Sequence, residues 1–268
     1  MDGRPLLAVD GDSLAHRAYH ALPKPIANNA VLGFANFVLR LWDAEQPAAV
    51  LVAWDSIDEP TYRHEALPAY QSGREFEDSI VDQLDRLPAF IASFGFACAK
   101  AAGYEADDFL AAAARRWKGP VLVATSDRDA FQLASDRVTI LQPVKGVSEL
   151  ARVGPAEVRE RYGILPEQVP DFIALRGDSS DRIPGAAGVG PKTAATILKQ
   201  YGSLEGALAA GRFAAAADDL RLYRRIAAMD SKAPLPRLAA QKPTWARAAE
   251  SARELGLNAL AKRLLERT

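Results

Sequence analysis

Three short apolar runs, Leu6 to Val9, Ala48 to Trp54 and Val121 to Ala124, each deliver an aspartate within a few residues of their end. Their length and lack of polar alternation read as strands buried on both faces. Segments with helical spacing lie between them. Asn28 or Asn29 can cap a helix running through Trp42, with Val31, Phe34, Val38 and Leu41 on one face. A second helical stretch runs from Phe109 to Trp117. Strands that alternate with helices predict an α/β fold, a parallel, twisted, doubly wound sheet covered by helices on both faces. Ligands of such sheets bind beyond the carboxyl ends of the strands. Asp10, Asp55 and Asp127 are therefore expected at one edge, however far apart they lie in sequence.

The rest of the chain fills in around that sheet. Residues 56–79 are polar and irregular. Ile80 to Phe94 reads as a helix with Pro88 as a kink or boundary, and Phe96–Ala99 and Val138–Leu141 as further strands. From Pro155 strand signals fade. Short helices are predicted over Pro155–Arg161 and Pro166–Leu175, each with proline early. Lys192–Tyr201, a segment starting near Ser203, and Ala246–Leu265 read as further helix. Two units are expected: residues 1–175 as an α/β core and 176–268 as a helical companion.

The net charge of −1 conceals an asymmetry: Arg182 to Thr268 holds 15 Lys and Arg against 7 acids, while residues 1–181 hold 18 against 27. A basic third beside an acidic core suits a protein that holds a polyanion over cations. The lone Cys98 forbids an internal disulfide, and no Cys/His cluster offers a zinc site. No run approaches the roughly 20 apolar residues that span a bilayer. A cytoplasmic setting without membrane contact is expected.

Two motifs carry chemistry. Gly103 to Asp108 places Glu105, Asp107 and Asp108 at a helix start, where acids favour the positive end of the dipole. With Asp10, Asp55, Asp127 and Asp129, and with Asp178 and Asp181 in a Gly/Ser-rich turn, they suggest an oxygen cage for hard divalent cations. The second motif is Gly188-Val189-Gly190-Pro191-Lys192-Thr193-Ala194. Its glycines let backbone approach a phosphate, the helix start supplies free N–H groups, and Lys192 adds charge. That is the chemistry of a helix–hairpin–helix contact to a nucleic-acid backbone.

Read together and in order, Val9-Asp10-Gly11, Tyr62 to Glu65, Gly103 to Asp108, Thr125 to Asp129, Gly177 to Asp181 and Gly188 to Ala194 resemble the 5′-nuclease family. This family comprises bacterial 5′–3′ exonucleases and flap endonucleases, including the N-terminal domain of bacterial DNA polymerase I. The resemblance spans about Leu6 to Leu208. It implies a PIN-like sheet, a helical arch at about residues 60–90 and a C-terminal helix–hairpin–helix subdomain. The nine acids fall on the family's metal-site positions for magnesium or manganese, two ions or more. Arg63, Tyr70 and Arg74 fall in the arch that the 5′ single strand passes. Gly188, Gly190, Lys192 and Thr193 fall on the duplex-binding element, where potassium can sit, and Arg17 also aligns. The implied partner is DNA with a 5′ flap, nick or branch. The chain is expected to act as a stand-alone monomer.

Two positions depart from the family pattern. Gln71 stands where the arch carries a lysine that contacts the scissile phosphate, and Arg182 stands where the family's Ser-Asp-Asn-Ile-Pro-Gly carries asparagine. Gln71 keeps open a junction-binding protein that cuts poorly. Arg182 can supply charge near the metals or merely disturb the loop. Asp10-Gly11-Asp12 after a strand also suits an aspartyl-phosphate phosphatase, a reading that leaves Gly188 to Ala194 without a purpose. His16, His20 and His64 lack ligand spacing and read as solvated or hydrogen-bonded, and the four tryptophans as packing residues.

Overall fold

The structure, a computed structural model, describes residues 3–21, 27–56, 59–73, 76–145 and 149–268. Six strands form one sheet in the order β3-β2-β1-β4-β5-β6. They are β1 (Leu6–Asp10), β2 (Ala49–Ala53), β3 (Ala97–Ala99), β4 (Val121–Ala124), β5 (Val138–Lys145) and β6 (Glu149–Val153). The first five are parallel, and β6 returns antiparallel on the edge. Val9 pairs with Val52 on one side and Ala124 on the other. That register sets Asp10, Asp55 and the Thr125–Asp127 turn along one rim.

Strand residues alternate between two cores. Leu6, Ala8, Leu51, Val121 and Val123 face α5 (Ala106–Arg116) and α7 (Val169–Arg176). Leu7, Val9, Val50, Val52 and Leu122 face α1 (Gly11–Ala21), α2 (Asn29–Glu45) and α4 (Asp78–Ala92). Both faces are therefore dry, as continuous apolar strands require. Beyond the sheet lie α3 (Tyr62–Ala66), α6 (Pro155–Tyr162), α8 (Pro191–Tyr201), α9 (Leu204–Ala209) and α10 (Ala217–Ala227), with α10 and α8 both packed on α7. The last two helices, α11 (Trp245–Glu254) and α12 (Asn258–Leu265), join the second core through Ala248, Ala252 and Leu260. The chain of 176–268 is thus divided between two packing partners. Between α10 and α11 the Gln241 side chain pairs with both backbone groups of Val50, at 2.8 and 3.1 Å, along the part of β2 that β3 leaves unpaired.

Several local expectations change. Helix α1 begins directly at Gly11, a position with no long apolar run to announce it; its buried Leu14, Ala15, Ala18 and Tyr19 still repeat at helical spacing. Pro88 neither starts nor ends a helix, because α4 runs through it to Ala92. Neither Asn28 nor Asn29 caps α2 in the usual way. Asn28 adopts a left-handed backbone, and the Ala30 N–H is accepted by the buried Gln83 Oε1 of α4 at 2.8 Å as well as by Asn29 Oδ1. The expected single helix over 246–265 is broken in two at Leu255-Gly256-Leu257. No helix among the described residues is long and apolar enough to cross a membrane.

Gly11 fixes how α1 leaves the sheet. A Cβ there would lie 2.4 Å from Trp54 Cε3 and 2.7 Å from the Ala53 carbonyl, and Trp54 is buried with no room to yield. Gly11→Ala should therefore destabilise the fold by about 2 kcal/mol, the range of an overpacked core. Urea unfolding of the two proteins measures this, and equal midpoints would contradict it.

Candidate active site

The rim acids do not float at strand ends; the local chain holds each one. Asp10 accepts Ser13 N–H at 3.1 Å and the Thr125 hydroxyl at 2.7 Å. Asp12, two residues on, accepts the Asp55 N–H at 2.7 Å and so ties β2's end to α1. Asp55 in turn accepts the Ala106 N–H at 2.7 Å, the first free donor of α5. Asp127 accepts the Asp129 N–H at 2.8 Å. Glu105 receives the Thr61 hydroxyl at 2.8 Å and the Tyr70 hydroxyl at 3.0 Å.

Asp178 and Asp181 arrive on a loop pinched by two glycines. Gly177 and Gly185 both have positive φ, and a Cβ on Gly185 would lie 2.4 Å from Gly177 N. Only glycine permits that approach. Asp178 accepts Ser180 N–H at 2.9 Å and Arg176 Nη2 at 2.8 Å. Asp181 accepts Gln71 Nε2 at 3.1 Å, and the same nitrogen donates to Tyr70 Oη at 2.8 Å.

These residues surround a cavity of about 600 Å³. Nine carboxylates line it: Asp10, Asp12, Asp55, Glu105, Asp107, Asp127, Asp129, Asp178 and Asp181. Arg63, Arg128 and Arg176 are the arginines among its lining residues. No three acids among the described residues converge closely enough to clasp one ion, so they ring the cavity instead. The oxygen-only donor set nevertheless suits hard divalent cations. Asp107 Oδ1 is buried without a hydrogen-bond partner, an atom that such an ion would satisfy.

Crowding perturbs the acids. Burial, then repulsion from Asp55, pushes the Asp10 carboxyl up to about 7. Burial and Asp55 likewise hold Asp12 well above the usual carboxylate range. Burial raises Glu105 and Asp107 despite the opposing Arg63 charge, and burial with Asp127 raises Asp129. Asp178 goes the other way: partial burial raises it, but Ser180 and Arg176 together hold it low.

Not every expected site residue reaches the cavity. Asp108 is fully buried and does not line it; its oxygens are taken by Arg63, the Asp230 N–H at 2.7 Å, the Glu105 N–H and the Tyr62 hydroxyl. As a metal ligand it is a poor fit. Arg63 is 1% exposed and spends its donors on Asp107, Asp108 and the Ile226 carbonyl, so it offers nothing to a passing strand. Tyr70 lies on the cavity floor with its ring against His64. Arg74 lies outside the described residues. Arg17 donates to the Val144 carbonyl at 3.4 Å and does not line the cavity. Arg182 is exposed with a left-handed backbone, its guanidinium beside Gly73.

The Gly188–Thr193 turn is exposed, with Gly188 at φ 75° and α8 starting at Pro191. Pro191 lines a smaller cavity shared with Arg128, Asp129 and Arg176, which places the turn next to the acids. Asp12, expected only under the phosphatase alternative, Thr125, expected only as part of a motif, and His16, expected to be solvated or hydrogen-bonded, all belong to the site, and the His16 and Phe76 rings lie 4.7 Å apart beside the cavity. Asp12's position two residues after Asp10 was the available signal.

Residues 5–163 match the family described as 5′–3′ exonuclease, N-terminal resolvase-like domain, and residues 164–248 match its C-terminal SAM fold. The chain belongs to the 5′–3′ exonuclease family. It is 43% identical over 210 residues to DNA polymerase I of Mycobacterium tuberculosis, a match covering 74% of this chain and 23% of that protein. Against DNA polymerase I of Deinococcus radiodurans the figures are 40% over 212 residues, 75% and 21%. The chain thus spans about a quarter of these relatives' length. T5 5′-exonuclease with bound zinc shares the fold at a TM-score of 0.71 and 18% identity, covering 98% of this chain and 99% of that one. The catalytic core of Rad2 with a DNA substrate does so at 0.66 and 14%, covering 98% and 92%. Such neighbours are PIN-like 5′ nucleases, in agreement with the predicted fold class.

The raised acids set a pH dependence. A carboxyl whose folded pKa lies above its unfolded value adds stability below the unfolded value, and that contribution is lost as pH rises through the folded one. For Asp10 the window is about 4 to 7. In EDTA, urea unfolding should therefore show stability falling across this window. Asp10→Asn, which removes the buried charge, should flatten the fall and exceed wild type at pH 8. A wild-type profile already flat from pH 5 to 8 would refute this.

Proposed function

We propose that the chain is a structure-selective 5′–3′ exonuclease and flap endonuclease that hydrolyses DNA phosphodiesters with two divalent cations, magnesium or manganese. The observation that carries this reading is the ring of nine carboxylates, with a partnerless Asp107 oxygen, at the strand-end rim of this family's fold. Asp10, Asp55, Glu105, Asp107, Asp127, Asp129, Asp178 and Asp181 would hold the ions. Such ions, when bound, supply a hydroxide-like water and stabilise the departing 3′ oxygen.

The chain's own side chains orient and neutralise. Arg128 and Arg176 line the cavity and can face the phosphate. Thr61 and Tyr70 fix the Glu105 carboxylate from opposite oxygens. Gly188, Gly190, Lys192 and Thr193 would grip the duplex by its phosphates, leaving sequence unread. Potassium at that turn, a monomeric state and a cytoplasmic location complete the proposal. A 5′-flap or nicked duplex is the substrate class.

Asp127→Asn should abolish cleavage of a 5′-flap duplex while leaving its binding within about threefold of wild type, since the loss falls on the ions rather than on the duplex grip. Cutting that persists in EDTA or in this variant would end the two-ion reading. Lys192→Ala should weaken binding alike for all sequences and lower the slope of log K against log salt by roughly one. An unchanged slope would leave Lys192 a surface residue.

Gln71 favours a slow enzyme over a fast one. Its amide bridges Tyr70 and Asp181 without adding charge. Preorganised groups that meet developing negative charge are typically worth about 10²–10³ in rate. Gln71→Lys should therefore raise the single-turnover rate on a flap substrate with little change in affinity. If the rate is unmoved, this position does not sense the phosphate.

A further inference from the structure

Adjacent carboxylates Asp107 and Asp108 meet opposite fates, and the reason lies in α10. The last carbonyls of a helix have no partners within it. Here the carbonyls at the end of α10 are taken up by side chains from elsewhere. Arg63 Nε donates to Ile226 O at 2.9 Å, Gln132 Nε2 to Ala227 O at 3.0 Å and Tyr62 Oη to Ala228 O at 3.2 Å. The chain beyond returns two donors: Met229 N–H to Gln132 Oε1 at 3.0 Å and Asp230 N–H to Asp108 Oδ1 at 2.7 Å. A cation at a helix C-terminus is also favoured by its dipole.

We infer that Arg63 and Asp108 are positioning residues that latch the end of α10 onto the start of α5, joining the helical half of the protein to the acid ring. Helix α10 packs on α7, and α7 runs into Arg176 and the loop of Asp178 and Asp181. The latch therefore spans both sources of acids. It also aims Asp107. Arg63 Nη2 reaches Asp107 Oδ2 at 3.1 Å and Asp108 Oδ1 at 2.9 Å, leaving Asp107 Oδ1 unpaired. Asp108 is the structural member of the acidic pair and Asp107 the functional one.

This inference rests on the proposed nuclease reading for its consequence in rate, though not for its geometry. Its test is a double-mutant cycle with Arg63→Gln, Asp108→Asn and both together. A buried charge stripped of its partner is costly, whereas replacing both partners can be nearly neutral. Each single variant should lower Tm, and the double variant should recover much of the loss. Should Arg63→Gln fail to fold, Arg63→Lys keeps the charge and loses the forked contact. Calorimetric titration with Mn²⁺ alone gives the deciding readout: Asp108→Asn should bind as many ions per chain as wild type, and Asp107→Asn should bind fewer or bind them more weakly. On a 5′-flap duplex in Mg²⁺, Arg63→Lys should lose about 10–100-fold in single-turnover rate with duplex affinity kept, as misplaced catalytic groups do. Loss of one Mn²⁺ per chain in Asp108→Asn without loss of Tm would overturn the latch and make Asp108 a ligand, and additive Tm losses in the cycle would overturn it too. A wild-type protein that cuts no flap DNA would instead overturn the nuclease reading, while the ion counts and the Tm cycle would still decide the latch.

Discussion

Like-charge crowding is the constraint on which the structure turns. Nine carboxylates line a cavity of about 600 Å³, and repulsion between like charges strengthens as they are buried. The fold tolerates this through fixed donors. Ser13, Thr125, Ala106, Thr61, Tyr70, Ser180 and Gln71 each give a hydrogen bond to one of the acids. Hydrogen bonds to the charged form lower its free energy but do not remove the repulsion. Burial, and then the repulsion from Asp55, accordingly pushes the Asp10 carboxyl up to about 7. An arrangement so costly in isolation is preorganised for positive charge that arrives from outside.

The parallel sheet makes this crowding possible. Pairing of β1 with both β2 and β4 is fixed because each strand is buried on two faces, and a slip of one residue would exchange the two cores. With the register fixed, residues just past Asp10, Ala53 and Ala124 have no choice of location. Helix α5 then enters at the same rim, its first N–H taken by Asp55. The two-glycine pinch at Gly177 and Gly185 brings the remaining acids from the helical half.

This hierarchy explains what was legible from sequence. Strand-end aspartates and the Gly188–Thr193 turn are readable because local pattern alone places them. Helix α1 was obscured because its start coincides with the acid motif Asp10-Gly11-Asp12 and its apolar stripe is short. Antiparallel β6 carries the polar, half-exposed sequence of an edge strand and gives little apolar signal. The roles of Asp107 and Asp108 could not be told apart locally. Their difference is set by Asp230, 122 residues away, and by Arg63, which the family resemblance placed on the DNA path. Where a residue's role depends on a partner distant in sequence, motif position identifies the neighbourhood and packing decides the function.

The same division bears on how acid core and basic third cooperate. The acidic part, with 27 acids against 18 Lys and Arg over residues 1–181, would repel a phosphate backbone, and the basic part from Arg182 onward would attract it. Under the proposed nuclease role, contact between duplex and the Gly188–Thr193 turn draws phosphate towards a ring that accepts it only once cations have neutralised the acids. Binding of cations and of DNA at the rim must then favour each other, and by linkage the coupling is equal in both directions. The two halves can express it only if they keep a fixed relation. Arg63 and Asp108 are buried in the join between them, with both charges fully engaged, a placement that serves geometry at the expense of direct contact with either partner.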